Sequence, residues 1–302
     1  MLKRLWAYLK EMYPVLPRLA VAAGVFFGIY LLILLNYGVT ALSVGLPEIT
    51  GVFTIFCFLL SLRIADDFKD YETDKELPPP YCQRPLPSGR VYKKDLLVML
   101  VVLDAIALAL NILFMNNFWF FLAMCLYGAL TYFWFFQRTR MQKSLPMALV
   151  SHNPVQLFVN AYVASFTCIK YGLDWRSWVV ALAVLALYLP GLTWEVGRKI
   201  KAPEEENEYT TYSKLFGYKK ASYFVLIVIL VTIAINAILI AGLDRVAVAV
   251  LALLALWVAG RFIRFIKDPT RSKIIDTVMA YTYVQEAIVL LAALLYLWVG
   301  KL

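Results

Sequence analysis

Apolar runs of about twenty residues recur along this chain, and no other property of the sequence restricts its folding as severely. A helix rises about 1.5 Å per residue, so about 20 apolar residues cross the roughly 30 Å hydrocarbon core of a bilayer. Nine candidate spans can be read, at about 15–36, 41–62, 96–115, 118–137, 145–167, 177–195, 221–242, 246–265 and 277–299. The 302 residues are 62% hydrophobic and only 16% charged. Soluble domains are nearer half apolar and a quarter charged, and a soluble protein of this makeup would expose large apolar patches. The expectation is an all-α, polytopic membrane protein forming one transmembrane domain over 1–302.

The net charge of +9 would suggest nucleic acid in a soluble protein. Here the basic residues fall in short segments between spans, where they encode orientation, so no nucleic-acid partner is expected. With the N-terminus inside, all 29 Lys and Arg residues except Lys170, Arg176, Arg245 and Lys301 fall on the inner side. Losing or adding one span would scramble that alternation. The distribution therefore predicts nine transmembrane helices, a cytoplasmic N-terminus and an outer C-terminus. In a bacterium the membrane would be the inner one. Met1–Tyr13 is basic and aromatic and Pro14 leads into a full-length span, which argues against a cleavable leader. Cys57, Cys82, Cys125 and Cys168 lack CxxC spacing and read as small apolar residues. With His152 the single histidine, a His-based zinc site is not expected.

Two inner connections are long, 63–95 and 196–220, and long connections in a compact fold carry function. Each begins with acidic residues at the end of a helix and closes with basic ones. Their recurrence four helices apart suggests two similar halves facing one cavity. In the first, Asp66, Asp70 and Asp74 are spaced by four, with Asp67 beside the first. If the second span continues as helix past the interface, those carboxylates share a face and repel one another. Three or four carboxylates at one place suit a hard divalent cation. Mg2+ takes few protein carboxylates and leaves positions for water and substrate phosphates. Pro78, Pro79 and Pro80 end the helix, and Arg84-Pro85-Leu86-Pro87-Ser88-Gly89 is a rigid turn whose guanidinium suits phosphate. Lys93 and Lys94 either add charge for the phosphate or, as juxtamembrane lysines more often do, meet anionic lipid. The competing reading, a solvated loop of mixed charge, does not account for the regular spacing at an interface.

These residues resemble the signature of the UbiA superfamily of intramembrane prenyltransferases. That signature is an Asn-Asp-x-x-Asp-x-x-x-Asp run after the second helix, followed by RPL-x-SG. The chain has Asp66-Asp67-x-x-Asp70-x-x-x-Asp74, with Asp66 in place of asparagine, then Arg84 to Gly89, and Arg63 also matches a common family position. The resemblance implies nine helices around a central cavity, where Mg2+ ions hold a polyprenyl diphosphate between two acidic loops. It further implies ionisation at C1 and capture of the allylic cation by a lipophilic acceptor, a transfer of an alkyl group other than methyl. Asp66, Asp67, Asp70 and Asp74 would be the catalytic metal ligands, and Arg84 would bind diphosphate. A CDP-alcohol phosphotransferase, which also uses membrane-embedded Asp and Mg2+, would carry a DG-x-x-AR segment that this chain lacks.

The second loop departs from the family pattern of Asp-x-x-x-Asp after the sixth helix. Glu195 takes the first, catalytic metal-binding position, and Lys199 stands at the second. Glu204 is placed as a third ligand by its distance from the Thr211–Gly217 segment. Three readings stand. Arg198 and Lys199 bind the diphosphate directly; or the second metal site is lost, and the protein binds or carries an isoprenoid or lipid without transferring it; or these cations pair with carboxylates as a structural network. His152 and Asn153 interrupt span five, either to orient or deprotonate an acceptor or as a helix break at Pro154. Asp104 and Asn111 in span three are expected to face the interior in structural pairs, and Glu48, near an outer end, to be solvated.

Overall fold

The computed structural model describes residues 1–206 and 210–299, so Lys301 and the 207–209 part of the second loop lie outside the described residues. The first half runs through α1 (Leu2–Met12), α2 (Val15–Asn36), α3 (Leu46–Glu76), α4 (Lys93–Phe114), α5 (Phe118–Tyr132), and the short α6 (Arg138–Gln142) and α7 (Leu145–His152). The second half comprises α8 (Val155–Tyr171), α9 (Trp178–Gly197), the short α10 (Tyr212–Phe216), α11 (Tyr218–Ile240), α12 (Arg245–Lys267) and α13 (Ile274–Val299). There is no strand among the described residues. Among the described residues seven helices, α2, α3, α4, α9, α11, α12 and α13, are long and apolar enough to cross a bilayer. The chain is a multi-pass integral membrane protein.

The two remaining predicted spans take a different form. α5 ends at Tyr132, short of the expected 118–137. The chain then turns through Trp134, Phe135 and Phe136, all at positive φ. That conformation costs a residue with a Cβ about 1–2 kcal/mol. Ring packing offsets it: Phe135 meets Tyr127 edge-on, and both Trp134 and Phe135 pack edge-on against His152. Span five divides at 152–155 into α7 and α8, because Pro154 has no N–H to continue the helical ladder.

α2 occupies the middle of the bundle. Its second half, Ile29 to Leu35, is buried on every side, as a helix apolar all round must be. α3, α8 and α9 pack against it, and α9 also runs along α11. Several polar side chains inside the bundle are paired. The Asn111 amide donates to Thr54 Oγ1 (2.7 Å) and its carbonyl accepts from the Tyr162 hydroxyl (2.8 Å), joining α3, α4 and α8. Ser61 Oγ donates to Asp104 Oδ1 at 2.9 Å.

Glu48 corrects one expectation. It is fully buried rather than solvated: it is ion-paired with Lys170 and accepts from Tyr30 OH (3.3 Å) and from the Gly45 N–H (2.8 Å). Since α3 starts at Leu46, Glu48 sits in the first turn, where the helix dipole favours a carboxylate, and α8 delivers the lysine.

Candidate active site

The apolar part of α3 ends near Leu62, and the helix continues as a charged extension over 63–76, beyond the membrane-spanning segment. No glycine or proline interrupts it before Pro78. The continuous helix gathers Asp66, Asp67, Asp70 and Asp74 within about two turns, as the spacing predicts. Each carboxylate meets different surroundings. Asp66 is exposed and pairs with Lys69 at 2.8 Å. Asp67 is buried; its Oδ2 accepts from Tyr8 OH at 2.6 Å and its Oδ1 is ion-paired with Arg63. Asp74 is buried and pairs with Arg84 at 2.7 Å.

Asp70 is exposed and has no hydrogen bond or ion pair among the described residues. The water displaced around it, and then repulsion from Asp66 and Asp74, push its carboxyl above the usual carboxylate range, with Lys69 opposing. A cation arriving there would relieve that repulsion. Among the described residues no three His, Cys, Asp or Glu side chains form a cage for an ion. Mg2+ needs no such cage, because one or two carboxylates and the substrate's phosphates complete its octahedron. Asp66 and Asp70, one turn apart and both open to solvent, fit that demand.

The RPLPSG segment folds as a rigid turn. Ser88 donates twice to the Arg84 carbonyl, through N–H (3.0 Å) and Oγ (2.7 Å), and Val91 N–H donates to Pro85 O at 3.1 Å. Gly89 adopts φ +76, a conformation glycine enters without a Cβ clash. The Arg84 guanidinium lies over the Tyr81 ring and against Asp74.

At the end of α9, Glu195 accepts two bonds from Arg198 (2.7 and 2.8 Å) and pairs with Lys199 at 3.0 Å. Both of these cations thus pair with one carboxylate. Glu204 is exposed on the single turn Pro203–Glu205. Glu206, which the sequence pattern did not single out, accepts from the hydroxyls of Thr211 and Ser213. The loop is tied to the end of α9 by Tyr212 N–H to Lys199 O and Lys201 N–H to Ser213 Oγ, both 2.9 Å.

His152 comes to the acidic extension of α3 through Trp134. Lys69, the partner of Asp66, holds its ammonium 5.2 Å from the centre of the Trp134 ring, and that ring abuts His152. His152 Nδ1 lies 3.2 Å from the Ala148 carbonyl and 3.0 Å from Ser151 Oγ. Among the described residues, His152 Nε2, Asn153 Oδ1 and Trp134 Nε1 are buried without hydrogen-bond partners. Trp134 and Tyr8 are site residues that no local pattern marks. Two apolar cavities open in the bundle. One, of about 510 Å3 between α3, α4 and α5, includes Ser61 and Asp104 and reaches Phe68 on the acidic extension. The other, of about 750 Å3, lies between α2, α9 and α13 and includes Gln285 and Glu286. Both have the size of ligand pockets.

A solved structure of a digeranylgeranylglyceryl phosphate synthase in membranes has the same fold, with a TM-score of 0.65 and 17% identity over 98% of this chain and 99% of that one. No curated protein matches the sequence. The profile of the UbiA prenyltransferase family matches residues 12–284, from the last residue of α1 into α13 and across both charged loops. With most of its length so matched, the chain belongs to the UbiA prenyltransferase family.

Proposed function

We propose that this protein transfers a prenyl group from a polyprenyl diphosphate to a lipophilic acceptor within the membrane, with Mg2+ as cofactor. The observation that carries the reading is Asp70: an exposed, crowded carboxylate without a cation, one turn from Asp66, on a helix extended past its apolar part. Family membership supplies the reaction class. Asp66 and Asp70 hold the cation, with Asp67 and Asp74 beside them and Glu195 and Glu204 from the second loop. Bound Mg2+ would neutralise the diphosphate oxygens and make the group a better leaving group. Arg84, Arg198 and Lys199 take its remaining oxygens and stabilise the charge that develops as the C1–O bond breaks. The apolar bundle keeps water from the allylic cation. His152 and Asn153 orient the acceptor's polar head. The single domain over 1–302 crosses the membrane nine times, with α5 and the α7–α8 pair as two crossings. Its N-terminus and both charged loops face the cytoplasm.

A second reading, binding or carriage of an isoprenoid without transfer, draws on Glu195, whose carboxylate already meets two cations. Purified protein in nanodiscs, given geranylgeranyl diphosphate and a membrane lipid extract, separates the two. Transfer requires Mg2+-dependent diphosphate release, lost by at least about a hundredfold in Asp70→Ala while the variant stays monodisperse. Saturable binding without release would favour carriage. Release that survives both EDTA and Asp70→Ala would refute the metal site.

A further inference from the structure

Asp67 is braced by an element remote in sequence. Tyr8, on α1, and Asp67, on α3, are 0% and 4% exposed. The 2.6 Å bond from the Tyr8 hydroxyl to Oδ2 has the length of an O–H donor on a charged oxygen. Arg63 holds the other oxygen. With both oxygens engaged the carboxylate plane is fixed, and each oxygen retains a lone pair for a cation. Neither solvent-open neighbour has such a brace: Asp66 meets Lys69 from its own helix, and Asp70 meets nothing among the described residues.

α1 is itself fixed at both ends. Near its start Arg4 makes two bonds to Asp95, in the first turn of α4 (2.6 and 3.0 Å). Near its finish Glu11 accepts two bonds from Arg90 (2.7 and 3.0 Å). Between them Leu5 and Tyr8 turn inward, while Leu2 and Trp6 are exposed. The family match begins at residue 12, so the brace comes from a segment outside it.

We infer that Tyr8 is a positioning residue of the metal–diphosphate site, and that α1 is part of that site. The Tyr8 hydroxyl holds Asp67 so that the cluster is preorganised for a divalent cation. The inference rests on the proposed reading of Asp66 to Asp74 as a Mg2+ site. Hydrogen-bond partners behind metal-binding groups are typically worth about 10–100-fold in affinity.

The test is Mn2+ binding, followed by the electron paramagnetic resonance of free Mn2+, with the full chain in phosphatidylcholine nanodiscs. Tyr8→Phe, which keeps the buried ring, should weaken Mn2+ binding by about tenfold or more. In an Asp67→Asn background Tyr8→Phe should add nothing, since the two act as one unit. Tyr13→Phe removes a hydroxyl from the same apolar cluster, one that donates to the Phe56 carbonyl, and should leave Mn2+ affinity unchanged. Wild-type affinity in Tyr8→Phe, or an equal loss in Tyr13→Phe, would overturn the inference. The underlying metal reading fails in a different way. In that case Mn2+ binding is absent from the wild type, or undiminished in Asp70→Asn, and this inference falls with it.

Discussion

Lys170→Ala would leave Glu48 buried without its cation. Removing one partner of a buried ion pair costs about 3–5 kcal/mol, because the remaining charge has lost its water as well. Lys170 retains some exposure, which places the expected loss at the lower end of that range. The double variant Glu48→Gln with Lys170→Met should recover part of the loss, since neither charge then remains. Thermal unfolding in detergent checks both; equal stability of Lys170→Ala and wild type would show that Tyr30 and Gly45 alone satisfy the carboxylate. The same side chain shows what a sequence withholds at this scale. Asp66, Asp70 and Asp74 could be read because their spacing and their helix are one local fact. The surroundings of Glu48 and Glu206, and the partner of Asp67, could not be read, because Lys170, Thr211 and Tyr8 reach them through tertiary packing or loop conformation that leaves no periodic trace. Lys199 lies 3.0 Å from Glu195, a pairing that the four-residue spacing allows.

Among the elements, α2 and α3 depend on a close approach. A Cβ at Gly51 would overlap the Phe26 ring, and that ring is fully buried among Phe27, Tyr30 and Phe166. The ring cannot swing away without displacing those neighbours. Gly51→Ala should therefore destabilise the protein by about 1–3 kcal/mol, despite the gain in helix propensity. Adding Phe26→Leu should restore much of the loss by opening space, and melting temperatures of the two variants decide it. Apolar runs do reveal helices, because the bilayer demands length and hydrogen bonding within the segment. They reveal helix ends less well. Span five broke where Pro154 predicted, since proline acts locally. α5 stopped early with no proline or glycine at its end, at three aromatic residues, two of which, Trp134 and Phe135, pack on His152 and Tyr127. That stop is a tertiary choice.

For the whole molecule, the path between α4 and α9 sets the number of crossings. α5 has 15 residues, about 22 Å of helix, less than the roughly 30 Å of hydrocarbon. Seven crossings would put α5, α7 and α8 in shallow re-entrant positions and leave Arg138–Lys143 on the side opposite the 77–92 loop. Nine crossings put the two segments on the same side. Charge favours nine: Arg138, Arg140 and Lys143 then join the other basic residues inside, and the aromatic turn at Trp134–Phe136 takes the interfacial position such rings prefer. Contact geometry agrees, since Lys69 on the α3 extension reaches the Thr131 carbonyl and the Trp134 ring. Cys82, half-buried in the 77–92 loop, is a ready reporter of one side, because Cys57, Cys125 and Cys168 lie within helices. A membrane-impermeant maleimide should label Cys82 in inside-out vesicles and not in right-side-out ones. Arg140→Cys, made in a Cys82→Ser background at an exposed site, should be labelled from that same side. Labelling of the two from opposite faces would reduce the crossings to seven, and would detach His152 from the acidic extension of α3.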